Sequence, residues 1–183
     1  MPASLARYRP ETRLVQAGTL RSQFGETSEA LFLTQGYVYE SSAQAERRFK
    51  NEEPGYQYSR FANPTIAMFE ARMASFEGAE AARATATGMA AVTVALLGQL
   101  KAGDHVVAAK ALFGSCRYVV EDFLPRYGIA STLVDGTDLA QWKNAVRPNT
   151  KTFFLESPTN PVLEVLDIKA IAEIGRASCR ERV

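Results

Sequence analysis

The chain has 183 residues, of which 46% are hydrophobic and 22% are charged, and its formal net charge is +1. These values are typical of a globular protein with a sizeable core, and the near-neutral charge argues against nucleic acid or a membrane surface as a partner. No apolar run approaches the roughly eighteen residues of a membrane span, and residues 1–10 lack the apolar segment of a signal peptide.

Residues 1–60 show no helical or strand period that persists long enough to build a core. Short apolar stretches such as 31–33 alternate with a charged segment at 46–53, which Pro54 and Gly55 follow. We therefore expect an extended arm with a short helix, of the kind that usually lies on a partner subunit.

Regular helical spacing begins at Asn63, a favourable N-cap that Pro64 follows at the first helical position. The apolar residues at helical spacing are Ile66, Phe69, Met73 and Phe76. Gly78 is the expected end of this helix. A second helix is predicted over residues 88–100, and because its apolar residues lie nearly all round, we expect it to be buried.

Short apolar strands alternate with helices over the rest of the chain. The predicted strands span residues 105–109, 130–134 and 152–155. The predicted helices span residues 115–127 and 139–146 and begin again at Asp167. This alternation indicates an α/β fold with a mostly parallel sheet that helices cover on both faces. Because such a sheet binds ligands at the carboxyl ends of its strands, we expect functional residues near Gly88 and within 110–116 and 156–161.

Residues 85–91 place the hydroxyl groups of Thr85 and Thr87, followed by Gly88, at the start of the second helix. Helix N-termini present unpaired N–H groups and a partial positive charge, which suit a phosphate. An N-capped core helix is the commoner explanation when such residues stand alone. The glycine spacing of a Walker A loop or a dinucleotide-binding loop is absent.

Three other segments each allow either a ligand-binding or a purely structural role. Arg60 lies beside Tyr58 and has the planar fork that binds phosphate, although an aromatic-rich turn with a solvated arginine fits equally well. Phe113 follows a strand and offers a ring face for stacking on an aromatic cofactor, or packs as a structural residue. Asn160, in a loop that prolines fix, either donates to a ligand oxygen or serves the turn alone.

Cys116 raises the hypothesis of a thiol nucleophile in a different α/β enzyme. The only histidine, His105, is expected at the start of a strand. No positioned base is therefore evident, and a small buried side chain is favoured. Cys116 and Cys179 have neither metal-ligand spacing nor the pattern of a disulfide framework, so we expect no metal site and a reducing, cytoplasmic compartment.

Taken together and in this order, four segments resemble the Cys/Met-metabolism family of enzymes that depend on pyridoxal 5′-phosphate (PLP). The segments are residues 58–65, 87–91, 113–115 and 156–161. The resemblance extends from about Arg13 to about Ile174 and implies an aspartate-aminotransferase-like (fold type I) large domain. It divides the chain into an arm at 1–60, an incomplete PLP-binding domain at 61–174 and a tail at 175–183.

The resemblance implies that Gly88 and Met89 donate backbone N–H groups to the PLP phosphate. Thr87, beside them, stands where a serine is common. Tyr58 and Arg60 would reach the phosphate held by a neighbouring subunit, so that a homodimer or homotetramer shares the site.

The resemblance also assigns roles around the cofactor ring. Phe113 stands where many relatives have a tyrosine; a phenylalanine keeps the stacking but lacks the acid–base role of a phenol. Asn160 would contact the ring oxygen of the cofactor, and Glu156 would shape the same loop.

The implied reaction replaces the succinyl group of O-succinylhomoserine, a small amino-acid substrate, with sulfide, and gives homocysteine and succinate in methionine biosynthesis. Two alternatives stay open. One is a cystathionine γ-synthase or γ-lyase type of activity. The other is a non-catalytic fragment that retains the phosphate and dimer contacts.

PLP catalysis requires a Schiff-base lysine and normally a carboxylate against the pyridine nitrogen. In the family, both come later than the helix that begins at Asp167. Lys110 is the one lysine at a predicted strand exit, and the family comparison does not place the catalytic lysine there. We therefore expect the chain as given to lack its catalytic residues and to be inactive.

Residues 175–183 are polar and arginine-rich, whereas relatives continue into another strand. We hypothesise that the gene record is truncated near Ile174 and carries a foreign end, which sequencing of the locus would test. Missing strands would leave a sheet edge and apolar helix faces uncovered, so we expect poor solubility or partial folding.

Overall fold

The computed structural model describes residues 7–178, which divide into two compact units between Ala84 and Thr85. Within the described residues, no helix combines the length and the apolar character needed to cross a membrane. The first unit includes the helix at Pro64–Glu77, which the sequence analysis assigned to the PLP-binding domain. The division into an arm at 1–60, a PLP-binding domain at 61–174 and a tail stays a prediction.

The described part of the first unit contains α1 (Pro10–Gln16), α2 (Ser42–Phe49) and α3 (Pro64–Glu77). The arm thus carries two helices, where the sequence predicted one. The Asn63 side chain caps α3 by accepting a hydrogen bond from the Thr65 N–H at 2.9 Å. Gly78 ends α3 in the left-handed conformation, at φ 64°. Both predicted ends of this helix are confirmed.

Arg72 on α3 holds the arm against this helix. Its guanidinium donates to the Ala17 carbonyl oxygen at 3.2 Å and forms an ion pair with the Glu29 carboxylate. Gly18 lies so close to α3 that a Cβ atom there would come within 2.8 Å of the Ala71 Cβ. Polar side-chain contacts and one close backbone approach therefore position a segment that has no regular apolar period.

The second unit is built on a parallel sheet. Its elements in chain order are α4 (Gly88–Leu97), β1 (His105–Ala109), α5 (Gly114–Tyr118), β2 (Ala130–Val134), α6 (Leu139–Asn144), β3 (Thr150–Phe154) and α7 (Ile168–Ser178). The strand order is β2-β1-β3, and His105 lies opposite Ala130 on one side and Thr150 on the other. The predicted α/β class is confirmed, and β3 begins two residues earlier than the sequence suggested.

The helical segment after β1 is irregular, where the sequence predicted one continuous helix. A π-helical turn at Val119–Phe123 and a 3₁₀ turn at Leu124–Tyr127 follow α5. Pro125 lacks the N–H that a continuing α-helix would use, and Gly128 ends the segment in the left-handed conformation, at φ 73°. Local backbone chemistry therefore divides this segment.

β1 is the centre of the core, and all five of its residues are buried. Trp142 on α6 is fully buried, and its Nε1–H donates to the Gly136 carbonyl oxygen at 3.0 Å. Its ring packs near the Phe153 ring of β3, with centroids 5.2 Å apart. The indole therefore joins α6 to the sheet while keeping its polar N–H satisfied.

α4 is less buried than its sequence predicts. Leu96 is buried, and Met89, Val92 and Leu97 pack partly against the core, but Val94 is 61% exposed. The prediction of a helix buried all round is therefore wrong: one face of α4 packs on the core of the second unit and the opposite face is exposed. The helix also ends at Leu97 rather than at residue 100.

α7 extends into the tail for which the sequence predicted a foreign origin. Residues 175–178 continue this helix, and a Cβ atom at Gly175 would lie 3.5 Å from the Phe153 ring. Residues 179–183 lie outside the described residues. The foreign origin of 175–183 stays a prediction.

His105 is fully buried at the amino end of β1. Its Nδ1 and Nε2 atoms lie 2.8 Å and 2.9 Å from the hydroxyl oxygens of Thr150 and Thr132. Arg147 donates to the Thr132 hydroxyl at 2.8 Å. Burial, and to a lesser extent the positive charge of Arg147, lower the pKa of His105 below its ordinary value of 6.5. The folded structure therefore favours the neutral ring.

The lowered pKa of His105 predicts a pH-dependent stability. Between the pKa of the folded state and about pH 6.5, unfolding takes up a proton. We therefore expect the free energy of unfolding to be highest above this window and to fall as the pH drops through it. Urea titrations followed by the fluorescence of Trp142, the single tryptophan, measure this change. His105→Gln removes the titrating group. If the free energy of unfolding of this variant depends on pH as that of the unaltered chain does, the assignment to His105 is wrong.

Gly136 predicts a second effect on stability. A Cβ atom there would lie 2.9 Å from Leu166 Cδ1 and 3.4 Å from Ala109 Cβ, and both neighbours are buried. Gly136→Ala is expected to lower the free energy of unfolding by about 1–3 kcal/mol, the usual cost of overpacking a core. Gly114→Ala is the matched control, because its added Cβ would meet nothing within 4 Å. Equal urea midpoints for the two variants would refute this prediction.

Candidate functional site

Most of the predicted site residues lie where α4 begins and where β1 and β3 end. Met89 of α4 contacts Cys116 of α5, with the two sulfur atoms 4.0 Å apart. The Glu156 carboxylate, which follows β3, is close enough to contribute to the raised pKa of Cys116. Glu156 also accepts a hydrogen bond from the Asn160 N–H at 2.7 Å. A connected series of interactions therefore links α4, α5 and the loop after β3.

The N-terminus of α4 is open. The Thr87 hydroxyl oxygen accepts from the Ala90 N–H at 3.0 Å and so caps the helix. The N–H groups of Gly88 and Met89 have no acceptor among the described residues, as the first positions of a helix generally lack one. A Cβ atom at Gly88 would meet nothing within 4 Å. Capping and anion binding are therefore compatible here, since the cap leaves the first two donors free.

Phe113 directly precedes α5 and is 44% exposed, whereas its neighbour Leu112 is buried in the core. Leu112 thus supplies the apolar contact that a structural residue at this strand exit would make. The Phe113 ring is left with an accessible face, the geometry that stacking on a planar ligand requires.

Cys116 is buried, and burial, followed by the charge of Glu156, raises the pKa of its thiol above the ordinary value. Little thiolate, the nucleophilic form, is then present near neutral pH. His105 lies at the amino end of β1, whereas Cys116 follows the carboxyl end, so the two are not partners. The prediction of a small buried side chain is confirmed.

The loop after β3 is closed by hydrogen bonds around Thr159, which is fully buried. The Thr159 hydroxyl accepts from the Glu164 N–H at 3.0 Å, and the Ser157 hydroxyl accepts from the Leu166 N–H at 3.0 Å. The Asn160 side chain stays exposed. Sequence reasoning missed the roles of Thr159 and Ser157, although hydroxyl residues beside two prolines are a signal of side-chain to backbone bonding in a turn.

Tyr58 and Arg60 lie in the first unit, in a segment that forms an antiparallel bridge from Tyr58 to Gly36. The Arg60 guanidinium lies over the rings of Tyr58 and Phe61, 5.1 Å and 5.3 Å from their centroids. Among the described residues, it has neither an ion pair nor a hydrogen bond. Its donors are therefore available to an anion.

The structure thus divides the predicted site residues between the two units. The second unit contains Thr87, Gly88, Met89, Phe113, Glu156 and Asn160, and the first contains Tyr58 and Arg60. Their roles toward a ligand stay predictions. No group of three or more His, Cys, Asp or Glu side chains in the described chain is arranged to hold a metal ion.

Comparison with known proteins gives a consistent set of relatives. Residues 11–180 match the family described as Cys/Met metabolism PLP-dependent enzyme. The O-succinylhomoserine sulfhydrylases of Mycobacterium tuberculosis and Pseudomonas aeruginosa are 50% and 46% identical over 90% and 91% of the chain. The chain spans only 40% and 41% of the length of these relatives.

A solved structure of a Campylobacter jejuni protein, which carries an N′-pyridoxyl-lysine-5′-monophosphate, superimposes with a TM-score of 0.88 at 29% identity. The superposition covers 93% of this chain and 42% of that one. The fold seen here thus corresponds to less than half of its solved neighbour.

The buried thiol of Cys116 is expected to react slowly with iodoacetamide, because its raised pKa leaves little thiolate. Cys179→Ser removes the second cysteine, which lies outside the described residues. Mass spectrometry should then show labelling at least about tenfold faster in urea than in the folded chain, since unfolding restores both access and an ordinary pKa. Similar rates in the two conditions would revive the thiol-nucleophile alternative.

Proposed function

Because the chain belongs to the Cys/Met metabolism family of PLP-dependent enzymes, we propose that its second unit binds the phosphate and the ring of PLP. The observation that carries this proposal is the open N-terminus of α4, where two N–H groups find no acceptor within residues 7–178 and the space beside Gly88 is free. When bound, PLP supplies an electron sink for reactions of amino-acid substrates. The residues of this chain would bind it and orient it.

The phosphate would lie at the N–H groups of Gly88 and Met89, where the helix dipole also favours an anion. The Thr87 hydroxyl oxygen already accepts from Ala90, but its own proton stays free to donate. Thr87 can therefore cap α4 and bind a phosphate oxygen at once. A threonine serves here as well as a serine, since both side chains offer the same hydroxyl.

The ring of the cofactor would stack on Phe113, whose exposed face has no group that exchanges protons near neutral pH. Phe113 would therefore position the ring without taking part in proton transfer. The exposed Asn160 amide would donate to the ring oxygen. Glu156 would act on Asn160 indirectly. Its carboxylate accepts a hydrogen bond from the Asn160 N–H at 2.7 Å and so fixes the conformation of the loop.

Tyr58 and Arg60 would complete the phosphate site of a neighbouring subunit. The unpaired Arg60 guanidinium can bind two phosphate oxygens through its planar fork, and the Tyr58 hydroxyl can donate beside it. This arrangement requires at least a homodimer, and a homotetramer of such dimers also provides it.

For the activity, we infer replacement of the succinyl group of O-succinylhomoserine by sulfide, giving homocysteine and succinate. The support is the identity of 50% and 46% with two O-succinylhomoserine sulfhydrylases. We infer that Lys110, which follows β1, is not the cofactor-binding lysine, because the family resemblance implies a lysine later than α7. We therefore infer that the 183-residue chain binds PLP without completing the reaction, and we propose the cytoplasm as its compartment.

Gly88→Asp tests the phosphate site without weakening the helix. A carboxylate in the first turn stabilises a helix through its dipole, yet it would repel a phosphate at the same N–H groups. The probe is pyridoxine 5′-phosphate, which lacks the aldehyde of PLP and cannot react with lysines. We expect its affinity, measured by calorimetric titration, to fall at least about tenfold in this variant, since like charges at close range repel strongly.

Leu139→Asp is the matched control, because it places the same charge at the first position of α6, where Leu139 is 40% exposed. Its affinity for the probe should equal that of the unaltered chain. Equal affinities for all three proteins, with unfolding midpoints showing that each is folded, would overturn the phosphate site.

The inferred activity is tested with a chimera that joins residues 1–174 to the remainder of the Mycobacterium tuberculosis relative. We expect the chimera to form homocysteine from O-succinylhomoserine and sulfide, and the 183-residue chain to form none. Liquid chromatography with mass spectrometry measures homocysteine and distinguishes it from the sulfide that is added. Turnover by the 183-residue chain would refute its inactivity, and a folded chimera that releases a 2-oxo acid instead would favour the γ-lyase alternative.

A further inference from the structure

Asn63 makes more hydrogen bonds than a helix cap requires. It is 6% exposed, and its Oδ1 accepts from the Thr65 N–H at 2.9 Å. Its Nδ2 donates to the Phe32 carbonyl oxygen and to the Ser59 hydroxyl oxygen, each at 2.9 Å. The orientation of the amide is unambiguous, because a carbonyl can only accept and a backbone N–H can only donate.

Capping α3 does not by itself require asparagine at this position. Serine, threonine and aspartate cap helices comparably, because each offers an oxygen to the first free N–H groups. The two bonds donated by Nδ2 require an amide, since a carboxylate has no proton to donate and a hydroxyl has only one. Asn63 therefore has a second role, which joins α3 to Phe32 and to Ser59.

Ser59 lies directly between Tyr58 and Arg60, the two residues assigned above to a phosphate. Its hydroxyl accepts from Asn63 and donates to the Thr34 carbonyl oxygen, and its N–H donates to the Gln35 carbonyl oxygen at 2.8 Å. The Arg60 side chain, by contrast, contacts only the rings of Tyr58 and Phe61 among the polar and ring contacts of residues 7–178. Ring contacts of this kind have little directionality compared with hydrogen bonds, so the direction of the guanidinium depends on the backbone at Ser59.

We propose that Asn63 is a positioning residue for phosphate binding by Arg60, and that it acts through Ser59. The inference rests on the proposed function. Loss of the Nδ2 donors removes the bond that ties Ser59 to α3, and leaves its hydroxyl with Thr34 and Tyr37 of the arm, while a hydroxyl cap still holds α3. The Arg60 guanidinium can then adopt more orientations, and phosphate binding must restrict them.

Asn63→Ser tests this role, because serine keeps a capping oxygen and lacks the two amide donors. We expect the affinity for pyridoxine 5′-phosphate to fall about fivefold, the usual effect of losing one hydrogen bond. Ser59→Ala removes the same bond from its other end, together with the bond to the Thr34 carbonyl oxygen, and should produce at least a similar loss. In an Arg60→Ala background, Asn63→Ser should cause no further loss, because the group that it positions is gone.

Asn149→Ser is the matched control. It removes a hydrogen bond of the same kind, which the Asn149 side-chain amide donates from Nδ2 to the Gly103 carbonyl oxygen at 2.7 Å, in the second unit. This variant should bind the probe as the unaltered chain does. If Asn63→Ser unfolds in a thermal melt, Ser59→Ala and its double variant with Arg60→Ala decide the question.

Several outcomes would overturn the proposal. A loss that persists in the Arg60→Ala background would show that Asn63 acts on the fold in general. Probe binding that depends on Gly88 but not on Asn63 or Arg60 would overturn the positioning role and leave the α4 phosphate site intact. An unaltered chain that does not bind the probe would overturn both proposals together.

Discussion

The complete burial of β1 is the constraint on which the second unit depends. A buried strand has no water to satisfy its N–H and C=O groups, so it must be hydrogen-bonded along both edges. β2 and β3 supply these bonds in parallel, which places the carboxyl ends of all three strands at the same edge of the sheet. The chain leaves this edge toward Phe113 after β1 and toward Glu156 after β3. The candidate site is therefore a consequence of how β1 is buried.

Burial also decides which polar and aromatic groups of the second unit can contact a ligand and which cannot. Cys116 and His105 are the residue types most often associated with catalysis, yet both are buried and both have a pKa shifted toward the neutral form. The accessible groups are the N–H donors at the start of α4, the Phe113 ring and the Asn160 amide. Such groups bind and orient a ligand but do not exchange protons near neutral pH. This division suits a protein whose reactivity comes from a bound cofactor.

The first unit is stabilised in a different way. Its arm has no persistent apolar period, and hydrogen bonds from side chains take the place of a sheet. Arg72 holds the segment that follows α1, and Asn63 connects the start of α3 to Phe32 and Ser59. Because each of these side chains serves several backbone groups, single substitutions here affect the position of an entire segment.

The sequence by itself determined the α/β class, the family and the identity of the candidate residues. It also predicted the ends of α3 at Asn63 and Gly78, because a helix cap depends on residues only a few positions apart. It did not predict the exposed face of α4, since an apolar helix has the same pattern whether or not other segments cover it. Nor did it predict the partners of His105, which come from β2 and β3. The tertiary structure alone decided which candidate groups are accessible, because burial depends on contacts between residues far apart in the chain.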